Sequence, residues 1–421
     1  MTGRPVSVVI VSHGRPNSLK TCLRAVRQLV YYPFEIVVVA DRPGLKGLEN
    51  SGLTDRVKTV GFDDANIAQA RNLGIGHAAG DVVAFLDDDA VPEPGWLYHL
   101  IAPFEDASID AATGFVLGRN GISFQSKAHV IDAHGVTSDL PVTAQGVSIH
   151  AGQDGTAIKT PGTNCAFRRS LFTELGGFDP NYRYYLDESD LNMRIAGSRK
   201  LTAVVPLAQV HHSVAESARR TQERVATSLH EIGASTAVFL RKFLKIDSMD
   251  VALDQARSSQ RNIAVRQMVA GQCEPRDVAR LMSTFDTGVA DGRGRALEGP
   301  ASIGGVEQPF LPVGKTNRQP DHIILSGHYS KCNSLKKQAK TLSNAGHIVS
   351  LFLFSRTSLF HKVRYHPDGY WLQTGGGYGK AGRDEPVFQP SSLAARTRRE
   401  TGRVSPVRFP WDGQKELHKL S

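Results

Sequence analysis

Residues 6–86 alternate between two hydrophobic periods. Val6–Ser12 (VSVVIVS) and residues 35–40 (EIVVVA) are continuous β-branched runs, the pattern of strands covered on both faces. Between them Leu19, Cys22, Leu23, Val26 and Val30 recur at helical spacing behind a Pro16, Asn17, Ser18 start signal. A strand, helix, strand unit is expected. A second helix is predicted over 66–78, ending at Gly80, and residues 81–86 (DVVAFL) then make another buried strand. This is the rhythm of an α/β sheet, which places ligands at the carboxyl ends of its strands.

Further along the periods are less regular. Residues 168–178 (RRSLFTELGGF) read as a short helix capped by Ser170 and stopped at Gly176. In 184–197, Leu186, Leu191, Met193 and Ile195 alternate with acids, which predicts a helix starting near Asp187 and ended by Gly197. Residues 201–207 (LTAVVPL) read as a strand with Pro206 at its end, and a largely helical region follows over 216–285. Gly and Pro without period mark 286–320 as a linker. Residues 322–327, 334–345 and 347–355 repeat the strand, helix, strand pattern, too short for a full nucleotide-binding half domain. Arg396, Arg398, Arg399, Arg403 and Arg408 stand against Glu400 in 391–421, which reads as a disordered basic tail. The expected organisation is thus an α/β domain over 1–245, a helical extension over 246–285, a linker over 286–320, a small α/β unit over 321–390 and the tail.

Composition narrows the class. With 421 residues, 40% hydrophobic and 22% charged, the chain suits a soluble protein of roughly two or three domains. No apolar stretch approaches the ~20 residues of a membrane-spanning helix, and residues 6–11 lack the flanks of a secretory signal. A cytoplasmic location is expected. Cys22, Cys165, Cys273 and Cys332 are far apart, without ligand spacing, and read as reduced thiols. The net charge of +9 fits attraction to nucleic acid, anionic lipid or phosphorylated small molecules. The aromatic residues near Tyr365, Tyr370 and Trp371 do not interleave with a basic patch, so no nucleic-acid partner is expected. Residues 374–382 (TGGGYGKAG) fail the GxxxxGK[ST] spacing and read as a flexible loop.

The sharpest chemical signal is Asp87, Asp88 and Asp89, directly after the apolar run Val82 to Leu86. Like charges repel at this distance, and a solvated loop or a helix cap accounts for one of the three. A positive partner is required. Mg²⁺ and Mn²⁺ take carboxylate oxygens and keep open positions for phosphates, and two acids one residue apart at a strand end can share such an ion.

With this loop (FLDDDAVPEPGWL, 85–97), the opening VSVVIVSHGRP, ANIAQARNLGI (65–75) and GTNCAFRRSLFTELGGFDPNYRYYLDESDLNMRI (162–195), the chain resembles the family 2 glycosyltransferases of the GT-A fold over 6–244. The resemblance implies a mixed, mainly parallel sheet flanked by helices, here followed by the helical region and the small C-terminal α/β unit. Asp87 and Asp89 match the acids that hold a divalent ion, Mn²⁺ or Mg²⁺, against the donor diphosphate, while Asp88 supports the turn or contacts the ribose. Asp41 matches the acid that reads the donor base, Ser12 and Arg15 sit where the first loop meets the nucleotide, and Arg71 and Asn72 border its pocket. Gly162, Thr163 and Asn164 match the acceptor-side segment. Aligning LDESDL on the family's acid pair puts Glu188 at the general base, where Asp is commoner, with Asp187 as its rival and Asp190 as the later acid. His211 of QVHHS (209–213) is preferred over His212 as a third metal ligand. The plain alternatives are a turn Asp at 41, a solvated Arg at 71, a Gly/Asn turn at 162–164, a packed His at 211 and helix N-terminal acids at 187–190.

The expectation is an inverting, metal-dependent transfer of a sugar from a nucleotide-sugar donor to a saccharide, lipid-linked or protein hydroxyl. The arginine-rich tail would meet anionic lipid, placing the protein peripherally at the inner membrane surface. A nucleotidyltransferase would need a Gly-rich first loop bearing a lysine, and 11–18 has none before Lys20. A non-catalytic nucleotide-sugar binding module is the other alternative.

Overall fold

The computed structural model describes residues 3–144, 146–153, 155–212, 225–314 and 320–409. Its centre is a ten-stranded mixed sheet. The first part follows the hydrophobic periods: β1 (Val6–Ser12), α1 (Pro16–Val26), β2 (Phe34–Ala40), α2 (Arg42–Glu49), β3 (Val57–Gly61), α3 (Ile67–His77) and β4 (Val82–Asp87). These strands lie parallel in the order β3-β2-β1-β4. Successive residues of a strand face opposite ways, and both faces are covered. Val8, Ile10, Ile36 and Val38 pack on one side against Leu19, Leu23 and Trp96, while Val9, Val37, Val39 and Phe85 pack on the other against Ile75, Phe167 and Phe172. Continuous β-branched runs are the result.

The sheet then changes direction. After β5 (Ala90–Pro92), α4 (Trp96–Ile101), β6 (Ile109–Leu117) and β7 (Phe124–Ser126), the chain forms β8 (His129–Asp132), β9 (Thr137–Asp139), β10 (Ser148–Ala151) and β11 (Thr156–Ile158). Of these, β11-β8-β9 make a separate small sheet. β12 (Cys165–Arg168) inserts antiparallel between β4 and β6. α5 (Arg169–Glu174) and α6 (Asp187–Gly197) come next, and β13 (Leu201–His212) runs parallel to β6. Ser170 lies inside α5 and does not cap it; Arg168 precedes the helix. Nor does Pro206 end its strand, because β13 absorbs the irregularity between Val205 and Gln209 and continues to His212.

A three-helix layer comprises α7 (His230–Phe243), α8 (Met249–Val269) and α9 (Pro275–Gly294). Residues 216–224 of the expected helical region lie outside the described residues. The expected linker begins too early: α9 runs to Gly294 because its glycines are packing positions. A β-carbon on Gly288 would lie 1.9 Å from the His230 carbonyl oxygen, and one on Gly292 2.2 Å from that of Ala234, so these residues let α9 approach α7. Beyond α9 the chain straps along the sheet. Ile303 N–H donates to Phe172 O (3.0 Å), Glu307 N–H to Gly76 O (3.0 Å) and Val313 N–H to Phe34 O (2.9 Å).

The C-terminal unit holds β14 (His322–His328), α10 (Cys332–Asn344), β15 (Ile348–Ser355), β16 (Lys362–Tyr365) and β17 (Trp371–Gly376) in the order β14-β15-β17-β16. The expected flexible glycine loop is in part strand β17. The expected disordered tail is overturned by α11 (Leu393–Arg408), a helix capped by Ser392. Its arginines are largely paired, Arg396 with Glu400 at 2.9 Å, Arg403 with Glu400 at 3.0 Å and Arg399 with Glu385 at 3.1 Å, although Arg398, Arg399 and Arg403 stay exposed. Arginines at helical spacing with a buried glutamate partner look like a solvated run when only their number is read. Residues 410–421 lie outside the described residues. No described helix is long and apolar enough to cross a membrane.

Candidate active site

The three aspartates stand at the carboxyl end of β4, beside the end of β1. Ser12 Oγ donates to Asp88 Oδ2 at 2.6 Å, and Arg15 lies 2.7 Å from Asp88 Oδ1 and 2.8 Å from Asp89 Oδ2. Arg15 is therefore the positive partner of two of them. Burial pushes Asp88 up to about 7 against the pull of Arg15 and Ser12. The middle acid is an interior group that holds the turn. Asp87 and Asp89 instead converge with His212: one ligand atom from each lies within 4.8 Å of the others. Two carboxylates and an imidazole are a donor set better suited to Mn²⁺ than to the harder Mg²⁺, which prefers oxygen ligands alone.

The histidine that converges with Asp87 and Asp89 is not the expected His211 but His212. Neighbouring strand residues face opposite ways. His211 is buried on the far face, donating Nε2–H to Glu93 Oε1 at 2.8 Å, while His212 Nε2 sits 3.4 Å from Asp89 Oδ1. The register of β13 past its irregularity decides between them, and residue spacing does not reveal it.

Arg71, only 1% exposed, joins the two acid groups. Projecting from α3, it forms an ion pair with Asp187, lies 3.2 Å from Glu188 Oε1 and 3.5 Å from Asp87 Oδ1, and stacks 5.3 Å from the Phe178 ring centroid. The acids of β4 and α6 thus share one guanidinium. The turn before α6 is strained: Tyr185 and Leu186 both adopt left-handed backbone, φ +73° and +66°. Each costs about 1–3 kcal/mol, and the pair brings Asp187 and Glu188 into the first helical turn. Burial pushes Asp187 up, reinforced by Glu188, although Arg71 opposes it. For Glu188 burial acts the same way and is the largest influence, but Arg71, the hydrogen bonds from Asp187 and the backbone, and Lys159 together outweigh it and hold the carboxyl below its ordinary range. The Glu188 side chain is 21% exposed and that of Asp187 2%.

The remaining expected residues divide. Gly162 donates its N–H to Glu188 Oε1 (3.0 Å), and Thr163 Oγ1 donates to Asp87 Oδ2 (2.6 Å), so both border the acid cluster. Asp41 accepts from Gly14 N–H (2.7 Å) and Gly44 N–H (3.0 Å), capping α2 while holding the first loop. The Asn72 amide clamps the Phe178 backbone, donating to its carbonyl (2.7 Å) and accepting from its N–H (2.8 Å). Asn164 and Asp190 do not face an acceptor. Asn164 is fully buried, taking Trp96 Nε1–H (2.8 Å) and donating to Phe115 O (3.0 Å) and Ala208 O (2.8 Å). Asp190 is equally buried, bonded to Arg194 Nε at 2.9 Å and paired with Lys242. Lys242 arrives from α7, and nothing in its sequence neighbourhood marks it.

Residues 7–176 match Glycosyl transferase family 2. The chain is 26% identical over 182 residues to a glucosyl-dolichyl phosphate glucuronosyltransferase of Haloferax volcanii, covering 42% of this chain and 56% of that protein. To the probable glycosyltransferase YdaM of Bacillus subtilis it is 28% identical over 207 residues, covering 45% and 46%. The chain thus spans about half the length of these relatives. A mannosyltransferase from Pyrobaculum calidifontis, solved with GDP-Man and Mn²⁺, superposes with a TM-score of 0.41 at 14% identity, over 69% of this chain and 88% of that one.

Proposed function

We propose that this chain, whose residues 7–176 belong to glycosyl transferase family 2, moves a sugar from a nucleoside-diphosphate sugar to an acceptor hydroxyl with inversion, using a divalent ion and a carboxylate base. The supporting observation is Arg71, which touches Asp87 at 3.5 Å and Glu188 at 3.2 Å, so that the acid cluster and the base stand on either side of one guanidinium. A divalent ion held by Asp87, Asp89 and His212 would supply positive charge against the leaving diphosphate. On the donor side, Ser12 and Arg15 line the first loop that Asp41 holds in place, and Asn72 fixes the segment behind Arg71.

Glu188 is the base. Its partial exposure lets a hydroxyl approach, whereas Asp187 is enclosed with Arg71. Arg71 also keeps Glu188 ionised, as a proton acceptor must be. The acceptor oxygen bonds to the anomeric carbon as the bond from that carbon to the diphosphate oxygen breaks, and the hydroxyl proton passes to Glu188.

For the acceptor, a cavity of about 590 Å³ lies beside the start of α6, its walls including Tyr184, Tyr185, Gln260, Ile263 and Gln267. No Lys or Arg is among its described lining residues. Aromatic rings and amides, beside His230 and Glu231, make a polar wall that suits a hydroxyl-rich saccharide. A saccharide acceptor is preferred to a lipid-linked or protein one. Of the five arginines expected to meet anionic lipid, Arg396 and Arg408 are buried, while Arg398, Arg399 and Arg403 are exposed and remain available for such a contact.

The test is release of nucleoside diphosphate from a panel of nucleotide sugars with Mn²⁺. Turnover should vanish with chelator and fall by about 10²–10⁴ in Glu188→Gln. Donor binding without turnover in either protein would favour a binding module; pyrophosphate release would favour a nucleotidyltransferase.

A further inference from the structure

The metal cluster is closed by a strand pairing. β5, directly after Asp89, runs antiparallel to the end of β13, with Ala90 opposite His212, Val91 opposite His211 and Pro92 opposite Val210. Glu93 N–H donates to Gln209 O at 3.0 Å and extends the pairing by one step. The separation of Asp89 from His212 therefore depends on how β5 lies on β13. A strand this short makes few ladder bonds, and its register must be held by side chains.

Those side chains come from the far end of the chain. Glu93, buried, accepts from His211 Nε2 at 2.8 Å and from two nitrogens of Arg408, Nε at 2.8 Å and Nη2 at 3.1 Å. Arg408, at the end of α11, donates its third nitrogen to Ser350 Oγ on β15 at 2.7 Å and lies 4.5 Å from the Trp371 ring centroid on β17. The α11 backbone reaches the same loop: Gly95 N–H donates to Val407 O at 2.7 Å, and His99 Nε2 to Pro406 O at 2.8 Å. A two-pronged pair between buried charges fixes both position and orientation, because neither ion tolerates losing the other.

We propose that Arg408 is a positioning residue for the metal cluster: by clamping Glu93 it holds β5 on β13 and so sets the spacing of Asp89 and His212. The C-terminal unit is then a working part of the active site, although Arg408 lies far beyond the matched segment 7–176. The role assigned to Arg408 rests on the metal-dependent reading of the site.

The test uses the full chain and the metal alone. Free Mn²⁺ is titrated by electron paramagnetic resonance, with and without inorganic pyrophosphate, and folding is followed by circular dichroism. Arg408→Met should weaken Mn²⁺ binding at least tenfold, as His212→Ala should. Should Arg408→Met fail to fold, the double variant Arg408→Met with Glu93→Leu removes both charges and leaves neither orphaned; it too should bind Mn²⁺ at least tenfold more weakly. Either variant, folded and binding Mn²⁺ like the wild type while His212→Ala does not, overturns the role of Arg408 alone. A wild-type chain that binds no Mn²⁺ under either condition overturns the metal-dependent reading and this proposal with it.

Discussion

A β-carbon added to Gly162 would lie 1.8 Å from Arg71 Nη2 and 2.5 Å from Glu188 Oε1. The chain passes so close to the shared guanidinium that no side chain fits between them. Gly162→Ala must therefore displace Arg71, Glu188 or both. A misplacement near 1 Å can lower a rate by about 10²-fold. Transfer by Gly162→Ala should fall by about that factor while Mn²⁺ binding changes less, because Arg71 reaches only Asp87 of the metal cluster. Wild-type turnover in this variant would mean that Arg71 does not position the base.

Asp187 and Glu188 are adjacent but should fail differently. Asp187 is the buried partner of Arg71, and breaking a buried ion pair from one side costs about 3–5 kcal/mol. Asp187→Asn should lower the urea midpoint markedly, whereas Glu188→Gln should leave the midpoint near that of the wild type and lose turnover. Equal losses of stability in the two variants would contradict their separate assignments.

Much of the fold is legible in the hydrophobic pattern, and the exceptions share one cause. Val8, Val9 and Ile10 read as a doubly covered strand because the period itself encodes burial. Asp87 and Asp89 read as ligands because three acids beside an apolar run demand compensation. His212, Lys242 and Arg408 are not legible, since each matters through a partner from a distant element: Asp89, Asp190 and Glu93. Asn164 and Asp190 mislead for the converse reason. Polar residues beside a site look functional until their hydrogen bonds are found inside the core.

The Glu93 pair carries a pH signature. Burial alone would raise the Glu93 carboxyl, but Arg408 and His211 outweigh it and bring it down to about 2 from an ordinary 4.5. A depressed folded-state value stabilises above the unfolded value and is lost as pH falls from about 4.5 towards 2, on the order of 3 kcal/mol in all. Burial also pushes His211 down, so the folded state resists its protonation and loses stability in the same direction below the ordinary histidine value. Acid unfolding followed by circular dichroism should therefore steepen below pH 4.5. Glu93→Gln should flatten that limb; an unchanged profile would show that the pair is not intact in solution.

Asp88 and Asp89 provide the most direct separation of interior support from metal binding. Asp88 is buried, bonded to Ser12 and Arg15, and pushed up to about 7, whereas Asp89 lies in the cluster with Asp87 and His212. An amide at 88 keeps an oxygen to accept from Ser12 and removes a buried carboxylate that resists ionisation. Asp88→Asn should therefore bind Mn²⁺ within a few-fold of the wild type and be as stable or more stable at pH 8, where the carboxylate would otherwise be ionised in the interior. Asp89→Asn removes a charged ligand and leaves Arg15 with one carboxylate fewer, so Mn²⁺ affinity should fall by at least tenfold. Electron paramagnetic resonance titration of the two variants side by side decides the matter, because loss at 88 with retention at 89 would reverse the assignment of which acids face the donor diphosphate.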